Sequence, residues 1–222
     1  MYILHYIPDT ASLAVRMVLT ELDLPHEARL IDRDAGQLAS PAYRALHPLG
    51  KIPAMETPDG PMFETAAMLL YLSDRHAPGQ LAPAPDSPDR AAFLKWFFFT
   101  STNIHTCLMD MFYPDRVAGD AAVPQVLAHA RPRMQEYLAI LETAAAKSPN
   151  WLSPDRPSLL GYYTAMLMRW LASMPPDHPA YFTASAYPAL HRVLSHLETR
   201  PAALAVAKAE SLGPTCFTHP VP

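Results

Sequence analysis

The chain of 222 residues lacks a long apolar run, a basic block and any arrangement of paired cysteines. Its two cysteines, Cys107 and Cys216, form no Cys-x-x-Cys pair and predict no disulfide framework. No run of about 18 apolar residues predicts a membrane-spanning helix. The start of the chain also lacks the charged and long apolar regions of a signal peptide. We therefore expect a cytoplasmic protein.

The formal net charge is -4, and lysine and arginine form no cluster that would attract a polyanion. Nucleic acids and anionic membranes are bound through clustered cations, so neither is expected as a partner. The ten histidines raise the question of a metal, but none has a second histidine at i+4 beside a third ligand. His191 and His196 are five residues apart, and we interpret them as surface or helix-end residues. No metal site is predicted.

Residues 47–66 carry the most informative pattern in the chain. A short apolar run at 54–55 is closed by the turn Pro58-Asp59-Gly60 and followed by a second run at 62–63, which predicts a β-hairpin. Directly after it, Glu64-Thr65 opens a helix with periodic apolar residues. The unpaired N–H groups of the first helical turn therefore lie at the end of the hairpin, where they favour a carboxylate.

The bond between Ile52 and Pro53 lies just before the first hairpin strand, and a cis form would turn the Ile52 backbone outward. An extended peptide could then pair with it. Outward backbone on one side and a helix N-terminus on the other suit a short peptide with an α-carboxylate and a free ammonium. Glutathione is such a peptide.

The same residues resemble the glutathione-binding half of the cytosolic glutathione transferases, whose common form is Asn-Pro-x-Gly-Lys-Val-Pro followed by Glu-Ser-x-Ala-Ile. His47 stands here for the Asn and Thr65 for the Ser. The matching residues are Pro48-x-Gly50-Lys51-Ile52-Pro53 and Glu64-Thr65-Ala66-Ala67-Met68. The resemblance implies glutathione as co-substrate, bound by Lys51, Ile52, Pro53, Glu64 and Thr65.

The order of elements fits an α/β thioredoxin-like N-terminal domain and an all-α C-terminal domain. The first domain is predicted over 1–77, with strands at 2–7 and 27–32 and helices at 11–22, 41–46 and 64–76 around the hairpin. Residues 78–89 are predicted to be a linker because they contain Pro78, Pro83, Pro85 and Pro88. The helical domain is predicted over 90–212, and the tail after Gly213 has no periodicity.

The predicted helices of the second domain span 89–112, 123–147, 158–173, 188–197 and 201–211, and Pro132 should kink the second of them. The helix at 158–173 is apolar on nearly all sides and should be central to the core. The family usually begins it with Ser-x-x-Asp, whereas this chain has Ser158-Leu159-Leu160-Gly161. Ser158 can still cap the helix, but Gly161 cannot bond back to it and costs up to about 1 kcal/mol relative to alanine.

The catalytic group is expected in the first turn of the first helix, where a helix N-terminus and a hydroxyl can favour the thiolate of glutathione. The stretch Pro8-Asp9-Thr10-Ala11-Ser12-Leu13-Ala14 resembles Pro-Gly-Ala-Cys-Ser-Leu-Ala of the bacterial beta class, with Ala11 in place of the cysteine. Mixed-disulfide chemistry through that cysteine is therefore absent. We expect Thr10 to activate the sulfur, with Ser12 second and Tyr6 third. A helix cap is the structural alternative for Thr10 and Ser12.

Trp96 and, nine residues later, His105 resemble a Trp and a His of the beta-class fourth helix, where the imidazole faces the active site. His105 could bond the sulfur or a substrate group, and Asn103 could reach the glutathione ammonium across a dimer interface. The alternative is a partly buried histidine bonded to a carbonyl. Cys107 is interpreted as a core residue. Aromatic and methionine side chains at 97–99 and 109–113 could line an apolar acceptor pocket.

The sequence thus predicts a homodimeric glutathione transferase that conjugates glutathione to a small apolar electrophile. A glutathione-dependent disulfide reductase would use the same site. A zeta-like isomerase is disfavoured because residues 9–12 lack the Ser-Ser-Cys start of that class. A non-catalytic binding or regulatory protein on the same fold is the alternative from another class.

Overall fold

A mixed four-stranded sheet forms the N-terminal part of the structure, a computed structural model that describes residues 1–220. Its strands are β1 (Tyr2–Tyr6), β2 (His26–Leu30), β3 (Ala54–Thr57) and β4 (Gly60–Phe63). The strand order is β2-β1-β3-β4, with β1 parallel to β2 and antiparallel to β3, and β3 antiparallel to β4. The predicted hairpin is confirmed, because Thr57 pairs with Gly60 across the Pro-Asp turn.

Three helices accompany the sheet: α1 (Ser12–Glu21), α2 (Pro41–Leu46) and α3 (Thr65–His76). α1 and α3 bury their periodic apolar side chains against the sheet and the helices that follow in the chain. The Oγ of Ser40 caps α2 by accepting from the Tyr43 N–H at 3.1 Å. The predicted order β-α-β-α-β-β-α and the thioredoxin-like class are confirmed.

The remaining described residues, from 90 to 220, form helices and turns without a strand, as the all-α prediction requires. The helices are α4 (Arg90–Phe99), α5 (Thr106–Phe112), α6 (Asp115–Ala118), α7 (Val123–Ala145), α8 (Leu159–Ala172), α9 (Pro188–Glu198) and α10 (Pro201–Ala209). Pro132 lies inside α7, and the kink expected there stays a prediction. One buried apolar cluster extends from β1, α1 and α3 into the helical part.

The predicted single helix over 89–112 is wrong in its middle third, where Thr100–His105 form a π-helical segment between α4 and α5. Side chains of this segment bond to carbonyls one turn earlier: the Thr102 hydroxyl donates to Phe98 O at 2.8 Å and the Asn103 amide to Phe99 O at 3.3 Å. Such bonds compete with the regular backbone pattern. π-helical turns are frequent at functional sites, and this one carries Asn103 and His105.

Helix α8 is the centre of the helical part, and all of its residues from Leu159 to Leu171 are buried. Ser158 caps it by accepting from the Gly161 N–H at 2.9 Å, as predicted. Gly161 itself is explained by packing. A Cβ there would lie 2.9 Å from Ser158 Oγ and 3.1 Å from Leu197 Cδ1. The glycine therefore lets α9 approach α8 closely.

Residues 78–89 form turns and bends between α3 and α4. The division into domains at 1–77 and 90–212 stays a prediction. The tail after Gly213 lacks a helix up to residue 220, yet Phe217 is fully buried, and Glu198 accepts from the N–H groups of Phe217 and Thr218. Residues 221 and 222 of that tail lie outside the described part. None of the described helices has the length and apolar character needed to cross a membrane.

Candidate active site

Three chain segments meet at one end of the sheet because of the strand register. His5 on β1 pairs with Ala54 on β3, and Ala54 pairs with Phe63 on β4. The residues after β1, before β3 and after β4 therefore lie side by side. These are the first turn of α1, the Ile52-Pro53 pair and the start of α3. The register thus brings together the three segments that the sequence motif identifies separately.

The loop before β3 is held in a defined shape by short contacts. Gly50 has a φ of +61°, and a Cβ on it would lie 2.5 Å from the Leu38 carbonyl oxygen, so the position requires glycine. The Tyr43 hydroxyl donates to Lys51 O at 2.8 Å, and burial raises the pKa of Tyr43. These contacts place Lys51 at the surface and Ile52 at the edge of the site.

The Ile52-Pro53 bond is cis, and Pro53 is buried. Within residues 1–220 the N–H and C=O of Ile52 have no hydrogen-bond partner. His47, on the same loop, is buried and packs against Phe63 with ring centroids 4.9 Å apart. Burial lowers the pKa of His47, Lys51 acts in the same direction, and Glu64 opposes them. The His47 ring thus connects this loop to the end of β4.

The start of α3 combines strain with free polar groups. Glu64 has a φ of 76°, a left-handed conformation that is rare outside glycine, and its side chain makes no capping bond. Such strain concentrates at functional sites. Thr65 is the first residue of the helix and only 5% exposed, and no described group bonds its hydroxyl. The N–H groups of this turn and the Thr65 hydroxyl are free to bind an anion.

Two hydroxyls occupy the first turn of α1. Thr10 Oγ1 donates to Ile7 O at 2.7 Å and lies 2.9 Å from Ser12 Oγ, which is itself 3.2 Å from Ile7 O. Thr10 is half-buried, whereas Ser12 has no exposed surface. Among the described residues, the N–H groups of Thr10, Ala11 and Ser12 have no hydrogen-bond acceptor outside the helix. Ala11 is the N-cap and makes no side-chain bond.

Tyr6 and Asn103 are partly exposed, and Lys51 and Glu64 are exposed. The guanidinium of Arg16 lies over the Tyr6 ring, 4.7 Å from its centroid, so Tyr6 packs with a cation. Asn103 bonds within its own π-helical segment. Neither contact brings the side chain to the Thr10 hydroxyl.

His105 is bonded to a side chain rather than to a carbonyl. Its Nδ1 lies 2.8 Å from the Tyr163 hydroxyl on α8, and its ring contacts Trp170 with centroids 5.8 Å apart. Burial lowers the pKa of His105 to about 4, so the imidazole is uncharged at neutral pH. Burial also raises the pKa of Tyr163 to about 12, and the Glu64 carboxylate adds to this rise. His105 and Tyr163 thus form a hydrogen-bonded pair between the π-helical segment and α8.

The sequence reasoning missed the groups that hold the loop between β1 and α1. Asp9 on this loop receives bonds from Arg169 and Trp170 at the end of α8, and its N–H donates to Glu210 after α10. Asp9 is adjacent to Thr10, so these contacts fix the loop that carries the candidate hydroxyl. A signal was present in part, because a charged residue inside the apolar helix at 158–173 needs a buried partner.

No group of three His, Cys, Asp or Glu residues in positions 1–220 is placed to hold a metal ion. Cys107 and Cys216 are both buried and free, and burial raises the pKa of each thiol. Two surface cavities, of about 220 and 380 Å³, are lined by the 79–89 region and by the N-terminal edge of the sheet. Neither is lined by a candidate residue.

Residues 11–75 match the family model described as "Glutathione S-transferase, N-terminal domain". Glutathione S-transferase GST-4.5 of Xanthomonas campestris is 26% identical over 164 residues, which are 73% of this chain and 79% of that protein. Glutathione S-transferase GstA of Escherichia coli O157:H7 is 27% identical over 169 residues, 75% of this chain and 81% of that protein. A probable elongation factor 1-gamma 2 of Arabidopsis thaliana is 26% identical over 165 residues, 70% of this chain and 39% of that protein.

Solved structures agree with these sequence matches. A glutathione transferase from Methylococcus capsulatus superposes with a TM-score of 0.79 at 26% identity and covers 96% of this chain and 100% of its own. A sphingomonad glutathione S-transferase complexed with glutathione superposes with a TM-score of 0.77 at 27% identity. The match covers 95% of this chain and 100% of that chain. The fold of the chain is thus similar to that of solved glutathione transferases. Together the comparisons show that residues 11–75 are similar to the N-terminal domain of glutathione S-transferases and that most of the chain is similar to bacterial glutathione S-transferases.

Proposed function

We propose that the protein binds glutathione and transfers its thiolate to a small apolar electrophile. One observation carries this proposal: the strand register sets the free Ile52 backbone, the free first turn of α3 and the first turn of α1 side by side. Glutathione has one group for each segment: the γ-glutamyl carboxylate for the start of α3, the cysteinyl backbone for Ile52 and the thiol for the first turn of α1. The similarity to a transferase solved with glutathione supports the same ligand.

Each end of glutathione has a partner of suitable charge. The N–H groups at the start of α3 and the Thr65 hydroxyl would bind the α-carboxylate of the γ-glutamyl unit. Glu64 would accept from its ammonium, joined by Asn103 of the partner subunit in a homodimer. The cysteinyl unit would pair with the backbone of Ile52 as an added strand, beside Pro53, and Lys51 would attract the glycine carboxylate.

The chemistry requires that the thiol lose its proton, because a free cysteine thiol has a pKa of about 8.5. The free N–H groups of the first turn of α1 and the Thr10 hydroxyl would stabilise the thiolate. For this, the Thr10 hydroxyl turns from Ile7 O to the sulfur, and Ser12 keeps the bond to Ile7 O. The thiolate then attacks carbon, the new C–S bond forms, and the leaving group departs with its electron pair. Tyr6 is the third candidate for this role.

The acceptor would bind between the start of α1 and the aromatic side chains near α5 and α8. Trp170 packs with both His105 and Phe112, and Phe112 and Tyr113 end α5. These rings favour an apolar ligand, and the neutral His105 can bond a polar group on it. A cytoplasmic location, a role in detoxification and the homodimer belong to the same proposal, by resemblance to the family.

Two other functions are compatible with these residues. A glutathione-dependent disulfide reductase would replace the electrophile by a second glutathione in disulfide linkage, and a disulfide-exchange assay separates it from the transferase. The similarity to an elongation factor 1-gamma sequence favours a non-catalytic protein as the second alternative. It would turn over no electrophile.

The test combines glutathione binding by calorimetry with turnover of a generic aryl halide. The wild type, Thr10→Ala and Thr10→Ser are compared, since serine keeps the hydroxyl. We expect binding by all three, turnover by the wild type and the serine variant, and loss of turnover in Thr10→Ala. Binding without turnover in the wild type would favour the non-catalytic alternative. Absence of binding in the wild type would contradict the proposed function as a whole.

A further inference from the structure

The loop that carries Thr10 is held by a buried network from the other end of the chain. Arg169 binds the Asp9 carboxylate with two atoms: Nε to Oδ1 at 2.8 Å and a terminal nitrogen to Oδ2 at 2.9 Å. The Trp170 Nε1–H lies 3.1 Å from Asp9 O and 3.2 Å from Oδ1. The Asp9 N–H donates to Glu210 Oε2 at 3.0 Å. Both backbone groups of Asp9 and its carboxylate are thus bonded.

The charges of this network are balanced. Glu210 pairs with Arg16 of α1 at 3.0 Å, so the described groups around Asp9 comprise two carboxylates and two guanidinium groups. The side chains of Arg169 and Glu210 are 3% and 0% exposed, whereas Asp9 is 34% exposed and lies nearest to solvent. Loss of Arg16 would leave the buried Glu210 carboxylate uncompensated, and loss of Arg169 would do the same to the partly exposed Asp9 carboxylate.

Asp9 also needs its partners for conformation. Its φ of 55° lies in the left-handed region, which costs a non-glycine residue of order 1 kcal/mol or more. The surrounding bonds hold it there. The next residue is Thr10, so the direction of the Thr10 hydroxyl and of the free N–H groups depends on this peptide.

We propose that Arg169 is a positioning residue of the active site: through its paired bonds to Asp9 it orients the first turn of α1 and cancels the carboxylate charge beside the thiolate. Arg169 acts through Asp9 and Thr10 and touches no substrate. This inference rests on the proposed function, because the thiolate is that of bound glutathione.

The sign of each substitution follows from the charges. Arg169→Gln leaves the carboxylate of Asp9, the residue before Thr10, without its cation, and a nearby like charge raises a thiol pKa by about one unit. Below that pKa the thiolate fraction, and kcat with it, then fall about tenfold. Asp9→Asn has the opposite sign and should lower the thiol pKa. Asparagine tolerates the left-handed conformation, so the backbone stays as it is. The double variant should return to within about threefold of wild type.

The experiment measures the pKa of the bound glutathione thiol from the ultraviolet absorbance of its thiolate. It also measures kcat and KM for glutathione over a pH range that runs from roughly three units below to about half a unit above the pKa of a free thiol. Arg90→Gln is the matched control, because Arg90 also binds an aspartate with two atoms: its terminal nitrogens lie 2.9 and 2.6 Å from the Asp74 carboxylate oxygens. Asp74 is near the other end of α3, about 14 Å along the helix from Thr65. We expect Arg90→Gln to leave the thiol pKa unchanged.

Support requires that Arg169→Gln raise the thiol pKa and lower kcat with KM nearly constant, and that Asp9→Asn in the same chain restore both. An equal loss of kcat at every pH, with no change in the thiol pKa, would overturn the inference while leaving the proposed function intact. Wild type without glutathione binding would overturn both. If Arg169→Gln does not fold, Asp9→Asn decides by the direction of its change in the thiol pKa.

Discussion

Replacement of Thr65 by alanine tests the anion site most directly. The Thr65 hydroxyl has no bond to any described residue, so its removal breaks no contact within the free protein. Loss of one methyl group costs about 0.8 kcal/mol of burial, and alanine regains up to about 0.7 kcal/mol in helix propensity. The free energy of unfolding should therefore change by less than about 1 kcal/mol.

Binding should respond much more strongly than stability. A hydrogen bond to a charged carboxylate contributes about 1.5 to 3 kcal/mol, so Kd for glutathione should rise roughly 10- to 150-fold in Thr65→Ala. The backbone N–H groups of α3 remain, so binding weakens without being abolished. Titration calorimetry at one pH and ionic strength measures the ratio, and Thr65→Ser is the control that keeps the hydroxyl. An unchanged Kd in Thr65→Ala would show that the carboxylate binds elsewhere.

Two further predictions concern stability. Gly161→Ala should lower the free energy of unfolding, measured in urea, by about 1 to 3 kcal/mol, because the added Cβ would crowd Ser158 Oγ and Leu197. This loss is expected even though alanine favours a helix by about 1 kcal/mol relative to glycine. A gain in stability would contradict the packing argument. The pKa of His105 falls from 6.5 to about 4 on burial, so its stabilising contribution is complete above pH 6.5 and is lost as pH falls toward 4. The free energy of unfolding should change between pH 7 and pH 4.5 by up to about 3 kcal/mol less in His105→Gln than in wild type. Equal changes in the two proteins would contradict this prediction.

The hairpin and the start of α3 could be predicted from the sequence because the residues that determine them are neighbours along the chain. The turn Pro58-Asp59-Gly60 determines the hairpin, and the apolar period after Thr65 determines α3, so the strand end and helix start are adjacent in sequence and in space. The register of β1 with β3 was not readable from composition, but the thioredoxin-like order supplied it. Thr10 was found in the same way, as a hydroxyl at the start of a periodic helix.

The partners of these residues could not be predicted, because they come from distant parts of the chain. Asp9 and Arg169 are separated by 160 residues, and His105 and Tyr163 by 58. Sequence alone shows only that Arg169 lies in an apolar helix and needs a carboxylate, and many acidic residues could supply one. The π-helical segment at 100–105 was missed because the polar run Thr-Ser-Thr-Asn fits the helical period and breaks only the bonding pattern.

The bonds around Asp9 also determine when the loop that carries Thr10 can fold during synthesis, because the partners of Asp9 come late in the chain. Its partners follow it by 160, 161 and 201 residues, and the Cys216 carbonyl, close to the end of the described chain, accepts from Arg169 at 3.0 Å. At about 5 to 20 residues per second, Asp9 leaves the ribosome roughly 10 to 40 s before Glu210 does. All four strands of the sheet are synthesised early, whereas the loop that carries Thr10 gains its bonding partners only when nearly the whole polypeptide has been made. An incomplete chain therefore contains the motif but cannot assemble the site.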